Sequence, residues 1–301
     1  MMPPAAPANR APHVFTLTGN LLAERTFEFE SWSPGRTQRA QRETFQVGGK
    51  GINVAKMLTR LQIPSTALCF TGGAPGAECE AWMRLHRFGY RAFPTGNATR
   101  SGLVIRDRSG QLAETTLLGP NVAPDAAALV ECATFLDEQP DGQVLALCGS
   151  FPGWNNPEFE PLRGCLERWL KRGQLVADTY GPPLAWVAPR PLALVKINAD
   201  ELRSLPGGCV DALPEPVQRW IITDGAGPVR FRSDGGAVQT EMPPVIREVS
   251  PTGSGDVLLA GVIASLFGRA STLAEAVQFA LPYAAANAAH PGVADFPLPL
   301  S

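Results

Sequence analysis

Histidine is scarce in this chain: His13, His86 and His290 are the only three in 301 residues, far apart and without clustered acidic partners. That argues against a histidine-built metal centre and against a Ser-His-Asp hydrolase. The six cysteines, Cys69, Cys79, Cys132, Cys148, Cys165 and Cys209, form no CxxC pair and no zinc spacing. Reduced thiols of a cytoplasmic protein fit that pattern better than a disulfide frame. No run of about 18 apolar residues occurs, so no membrane span is expected. Basic excess is missing too: the formal charge is −2, which argues against nucleic acid or an anionic membrane as partner. Any phosphorylated ligand must therefore be held by a few placed cations.

What is present is a globular composition, 45% hydrophobic and 18% charged, with length for one large α/β domain or two modest ones. Residues 1–12, rich in Pro and Ala, read as a disordered tail. Residues 13–301 are left as the folded unit. His13–Thr18 reads as the first core strand. Thr26–Glu30 and Glu43–Val47 alternate around a polar stretch, the pattern of an exposed hairpin or lid. Arg91–Pro94, Gly102–Arg106 and Leu112–Leu118 read as a small antiparallel patch that joins it.

From Asp125 onward the pattern is helix, strand, helix, strand. Continuous apolar strands end at Ser150, Asp178, Lys196-Ile197-Asn198 and Thr223. Such strands predict a mostly parallel sheet covered by helices on both faces, with ligands gathered beyond the carboxyl ends. Leu273–Ala289 reads as a long closing helix.

Two glycine-rich stretches carry the chemistry. Ser250-Pro251-Thr252-Gly253-Ser254-Gly255-Asp256 opens onto Val257–Phe267, eleven uncharged residues that suit a buried helix. The first turn of that helix offers free N–H groups and the positive dipole end to an anion. Gly253 and Gly255 allow close backbone approach. A carboxylate at Asp256 facing an anion makes sense if it collects a proton beside a phosphoryl group. The plain structural alternative is a helix cap beside a turn. Gly48-Gly49-Lys50-Gly51-Ile52-Asn53 opens a second helix and lacks the order of a Walker A loop. Lys50 and Asn53 either face a polar ligand or decorate a solvated turn. Arg100 reads as a surface arginine or a phosphate ligand.

Taken together, these residues resemble the PfkB branch of the ribokinase-like sugar kinases, and within it the 1-phosphofructokinases and tagatose-6-phosphate kinases. The resemblance runs from about Val14 to His290. It rests on Gly48–Val54, on Gly149-Ser150-Phe151-Pro152-Gly153, on Lys196-Ile197-Asn198-Ala199-Asp200-Glu201-Leu202 and on Ser250–Asp256. The implied fold is a three-layer α/β/α sandwich with a small β-sheet lid from about residues 21–47 and 91–118. The implied cofactors are ATP and Mg²⁺. Asp256 would act as general base, and the N–H groups of Gly253, Ser254 and Gly255 would hold the transferred phosphoryl group. Lys196, Thr223, Gly225, Gly227 and Asn287 would contact the nucleotide. Asn198 and Glu201 would position Mg²⁺, although the pair is equally a helix capping box. Glu24, Gly48, Gly49, Lys50, Asn53, Arg100 and Ser150 would bind a sugar phosphate, and the lid would also form a homodimer contact.

The sequence departs from that branch on the sugar side. Glu24 stands where an Asp is usual, Gly102 stands where a second Asn is usual, and Thr223-Asp224-Gly225-Ala226-Gly227-Pro228 is compressed. The expected reaction is ATP-dependent phosphorylation of a ketose phosphate, with fructose 1-phosphate ahead of tagatose 6-phosphate. The rivals are a kinase of an unphosphorylated sugar or nucleoside, and a non-catalytic phosphosugar-binding regulator.

Overall fold

A computed structural model describes residues 11–110, 112 and 114–298. Most of the expected disordered tail, residues 1–10, lies outside them. The chain begins with β1 (Val14–Thr18), β2 (Leu22–Phe29) and β3 (Arg42–Gly48), then α1 (Lys50–Arg60), β4 (Ser65–Thr71) and α2 (Gly73–Leu85). Three strands follow, β5 (Tyr90–Pro94), β6 (Arg100–Asp107) and β7 (Thr115–Leu118). The expected alternation comes next: α3 (Ala126–Asp137), β8 (Val144–Gly149), α4 (Glu160–Trp169), β9 (Gln174–Thr179), α5 (Pro182–Val187), β10 (Leu194–Asn198) and α6 (Ala199–Arg203). The chain closes with β11 (Arg219–Thr223), β12 (Val229–Ser233), β13 (Gln239–Glu241), α7 (Ser254–Gly268) and α8 (Leu273–Ala288).

Nine strands form one sheet in the order β13-β12-β11-β10-β9-β8-β1-β4-β5. Pairing is parallel from β5 through β11, and only the β11–β12 and β12–β13 pairs are antiparallel. Both faces are apolar, as a sheet covered on two sides requires. One face packs Phe15, Leu17, Leu145 and Leu147 with α3, α4 and α5. The other packs Val14, Val144, Ala146 and Val176 with α1, α7 and α8. Helix α7 is buried from Asp256 to Leu266, so it serves as a rigid internal rod for its own first turn.

A second sheet of four strands, β3-β2-β6-β7, forms the lid. It rests on α1 and α2 through Ala23, Val47, Ile52, Ala55 and Met83. One expectation is corrected here. Arg91–Pro94 does not join the lid, because β5 pairs in parallel with β4 at the edge of the large sheet. A short edge strand buried on one side alternates like a hairpin strand, so its pattern does not separate the two placements. Among the described residues, no helix is long and apolar enough to cross a membrane.

Candidate active site

The site assembles where the carboxyl ends of β1, β8, β9, β10 and β11 meet the amino ends of α1 and α7. Gly253 turns the chain into α7 with a left-handed φ of 77°. A Cβ there would also lie 2.3 Å from the Val293 side chain, so only glycine fits. Asp256 follows in the first turn, 6% exposed, and its Oδ2 accepts a 2.7 Å hydrogen bond from the Asn53 amide of α1. Burial and the neighbouring Asp178 charge raise its pKa to about 6, while Lys50, Lys196 and the Asn53 amide pull it down. A carboxylate so poised accepts a proton near neutral pH.

The amides of this turn divide. The Ser254 N–H donates to the Pro251 carbonyl at 3.2 Å and the Asp256 N–H to the Gly253 carbonyl at 3.0 Å. The N–H groups of Gly253 and Gly255 have no hydrogen-bond partner among the described residues. Of the three amides expected to meet an anion, two are therefore open and Ser254's is already used.

Asp178, at the end of β9 and fully buried, organises the cations. Its Oδ1 accepts from Lys50 Nζ at 2.7 Å and its Oδ2 from Lys196 Nζ at 2.9 Å. Burial alone would raise the Asp178 pKa, but Lys196 and Lys50 outweigh it and hold the group below the ordinary carboxylate range. Burial likewise opposes the charge on Lys50, yet Asp178, Glu201 and Asp256 outweigh it and raise its pKa. The glycines on either side of Lys50 serve close packing. A Cβ on Gly49 would lie 2.7 Å from Thr18 Cγ2, and one on Gly51 would lie 2.4 Å from Thr18 Oγ1. Gly48, at the end of β3, packs beside Leu22. Gly255 leaves room for Lys196, whose Nζ would stand 2.5 Å from an added Cβ.

Beside α7 opens a cavity of about 320 Å³, walled by Thr223, Gly225, Val245, Ile246, Leu258 and Ala285 among others. Its walls are mainly apolar and it reaches Ser254 and Gly255 at the helix start. That shape and polarity suit a flat base with its phosphates directed at α7. Of the residues expected at the nucleotide, Lys196, Gly227 and Asn287 do not line this cavity. Gly227 closes the turn after β11 by donating to the Asp224 carbonyl at 2.7 Å. Asn287 is wholly buried, and its amide bonds the Thr252 carbonyl, Ser254 Oγ and the Ala294 N–H. Fully desolvated, it satisfies the backbone on either side of α7 and braces the loop instead of lining the cavity.

A second polar cluster contains a residue that the sequence did not single out. Asn20, just past β1, donates to Asn121 Oδ1 at 2.9 Å and to Ser150 Oγ at 3.1 Å. Arg100 approaches the same Asn121 oxygen and the Asn20 carbonyl, each at 3.4 Å. Among the described residues Thr18 Oγ1, Asn20 Oδ1 and Arg100 Nε are buried without hydrogen-bond partners, an open set of polar atoms. Gly102, where a second Asn is usual, packs against Leu22, with an added Cβ 2.9 Å from Cδ1. Arg100 takes its amide neighbour from Asn121 instead. The available signal was the Gly119-Pro120-Asn121 turn that returns the chain from the lid. Glu24 projects from β2 and accepts from Gln46 of β3. Lys50, expected beside Arg100, faces Asp178 and Glu201 instead.

Asn198 and Glu201 form a full capping box at α6, with reciprocal bonds of 2.9 and 2.8 Å. Glu201 Oε1 remains, 3.5 Å from Lys50 Nζ. Among the described residues no cluster of three or more His, Cys, Asp or Glu stands ready for a metal. An ion here would meet one free carboxylate oxygen, which suits a hydrated Mg²⁺ better than a fully protein-ligated metal.

A three-layer sandwich with a β-sheet laid over the carboxyl ends of its parallel strands is the ribokinase-like architecture, the class to which this site and fold point. The chain belongs to the pfkB family of carbohydrate kinases, whose profile matches residues 19–300, and it is thereby a phosphotransferase acting on a sugar hydroxyl. It is 25% identical over 267 residues to a 1-phosphofructokinase of Bacillus subtilis, spanning 84% of this chain and 85% of that one. The 1-phosphofructokinase of Borreliella burgdorferi is 25% identical over 295 residues, with 94% of each chain covered. In fold it matches the phosphofructokinase-2 of Escherichia coli in complex with fructose-6-phosphate, with a TM-score of 0.81 and 20% identity over 91% of this chain and 93% of that one.

Proposed function

We propose that the protein transfers the γ-phosphate of ATP to a hydroxymethyl group of a phosphorylated ketose, fructose 1-phosphate first and tagatose 6-phosphate second. The observation that carries this reading is Asp256, buried at the start of α7 with a pKa of about 6 beside two open amides. In this reading Asp256 takes the acceptor proton, and Asn53 aims its carboxylate. The Gly253 and Gly255 N–H groups stabilise charge growing on the phosphoryl oxygens. Lys196, the nearest cation to Gly255, neutralises the nucleotide phosphates, which compete with Asp178 for it. Thr223 and Gly225 border the base. Asn198 and Glu201 hold water-mediated Mg²⁺, which when bound screens the phosphate charges.

On the other side Arg100, Asn20, Asn121 and Ser150 take the sugar phosphate, and Glu24 faces its hydroxyls from the lid. Arg100 offers a charge-assisted donor set of the kind a dianion requires. The Bacillus subtilis and Borreliella burgdorferi relatives are named 1-phosphofructokinase, which supports that acceptor over a free sugar. We also propose that two copies meet through the lid, where Leu117 and Leu118 stand 54% and 55% exposed on edge strand β7.

A coupled ADP-release assay over phosphorylated and free sugars tests the reaction. Turnover with fructose 1-phosphate or tagatose 6-phosphate is expected. Turnover with free sugars alone would reject the phosphosugar assignment, and no turnover at all would favour a binding protein. Asp256→Asn should lower kcat by roughly 10²–10⁴, with little change in ATP binding.

A further inference from the structure

A second cavity, about 570 Å³, lies away from the reacting groups, between the edge of the lid, α1, the end of α2 and the segment after α8. Its walls bring together Arg42 of β3, Lys56 and Arg60 of α1, and Arg106 of β6, against the carboxylates Glu28 and Asp295. Arg106 is the paired cation of the four, 2.7 Å from Glu114 and 4.0 Å from Glu28. Among the described residues Arg42, Lys56 and Arg60 have no carboxylate within ion-pair distance. Lys56 Nζ donates only to the Val293 carbonyl at 2.8 Å, and Arg60 donates to the carbonyls of Ala294 and Phe296. Burial lowers the Lys56 pKa despite the pull of Asp295 and Glu24, so its charge is incompletely compensated. Structural cations normally find carboxylates. Three without one, converging on a single cavity, are arranged for a mobile anion.

We infer that this cavity binds a small phosphate-bearing anion, which joins the lid, through Arg42, to the body, through Lys56 and Arg60. The site is separate from Asp256 and stands whether or not the acceptor named above is correct. The volume admits free phosphate or a phosphate ester of metabolite size. Phe45, Trp82 and Phe88 add aromatic wall to the cavity, which favours an ester with an organic body. Because the ligand would span lid and body, its binding would bias the lid toward the closed position.

Calorimetric titration of the full chain with inorganic phosphate and with glycerol 3-phosphate, without nucleotide or sugar, tests the inference. Binding is expected to weaken about tenfold in Arg42→Gln, the loss of one charge-assisted contact. It should be largely kept in Arg42→Lys and unchanged in Lys50→Met. Arg42 is exposed on its strand, and an unchanged unfolding midpoint of Arg42→Gln would confirm that its loss is local. Tighter binding of glycerol 3-phosphate would identify a metabolite, and equal binding would identify phosphate itself. No heat from either anion up to about 10 mM, or a loss confined to Lys50→Met with Arg42→Gln unaffected, would overturn the proposal.

Discussion

A carboxylate with a pKa near 6 is about nine-tenths ionised at pH 7 and mostly protonated at pH 5. If Asp256 is the base, kcat falls about tenfold per unit as pH drops below 6, because the proton then occupies the accepting oxygen. Lys50 pulls that pKa down, so removing its charge works in the opposite sense. In Lys50→Met the acid limb of the kcat–pH profile should move toward higher pH; a limb that stays fixed or moves down would sever Lys50 from Asp256. Asp178 answers to a different measurement. Its pKa is depressed in the folded protein, so the stability it supplies is present above the ordinary carboxylate range and is lost as pH falls through its own lower value. Asp178→Asn leaves two lysines facing a neutral amide and should cost about 3–5 kcal/mol in urea unfolding at pH 7.

At the scale of the element, the two glycines of the α7 turn separate folding from chemistry. Gly253→Ala must overcome both a left-handed backbone and contact with Val293, so it should destabilise by about 1–3 kcal/mol. Gly255→Ala meets no left-handed backbone, only the Lys196 ammonium that Asp178 holds at 2.9 Å. It should cost less stability than Gly253→Ala and lower kcat by about 10², the cost of displacing a group near the reacting atoms. Equal effects of the two substitutions on stability would contradict this division. Local pattern made these elements legible. Continuous apolar runs announced β8, β9, β10 and β11, and glycines followed by an uncharged stretch announced α7. What stayed hidden depends on distant partners. Nothing near Asp178 in sequence marks it as the group between Lys50, 128 residues away, and Lys196. Asn287 looked like a nucleotide contact because its helix closes the site, yet its face turns to the loop 251–254 and to Ala294. The β12–β13 hairpin, short and polar on one side, escaped notice for the same reason that β5 was placed in the wrong sheet.

For the whole molecule, the lid decides assembly. Among the described residues strand β7 pairs only with β6, leaving an edge with two adjacent exposed leucines, a feature that proteins usually cover or charge. Sedimentation of the wild type should report a dimer, and Leu117→Lys with Leu118→Lys should shift it to monomer with the fold intact. A wild type that sediments as a monomer at micromolar concentration would end the proposal. The order of strands has a further consequence for biosynthesis. Strand β1 leaves the ribosome before β4 and β8, yet it lies between them inside the large sheet. One of its edges stays open until Val144–Gly149 has been translated and can pair with it. A growing chain therefore carries an unsatisfied apolar strand until β8 emerges, which makes it a natural client for chaperones that shield nascent sheets.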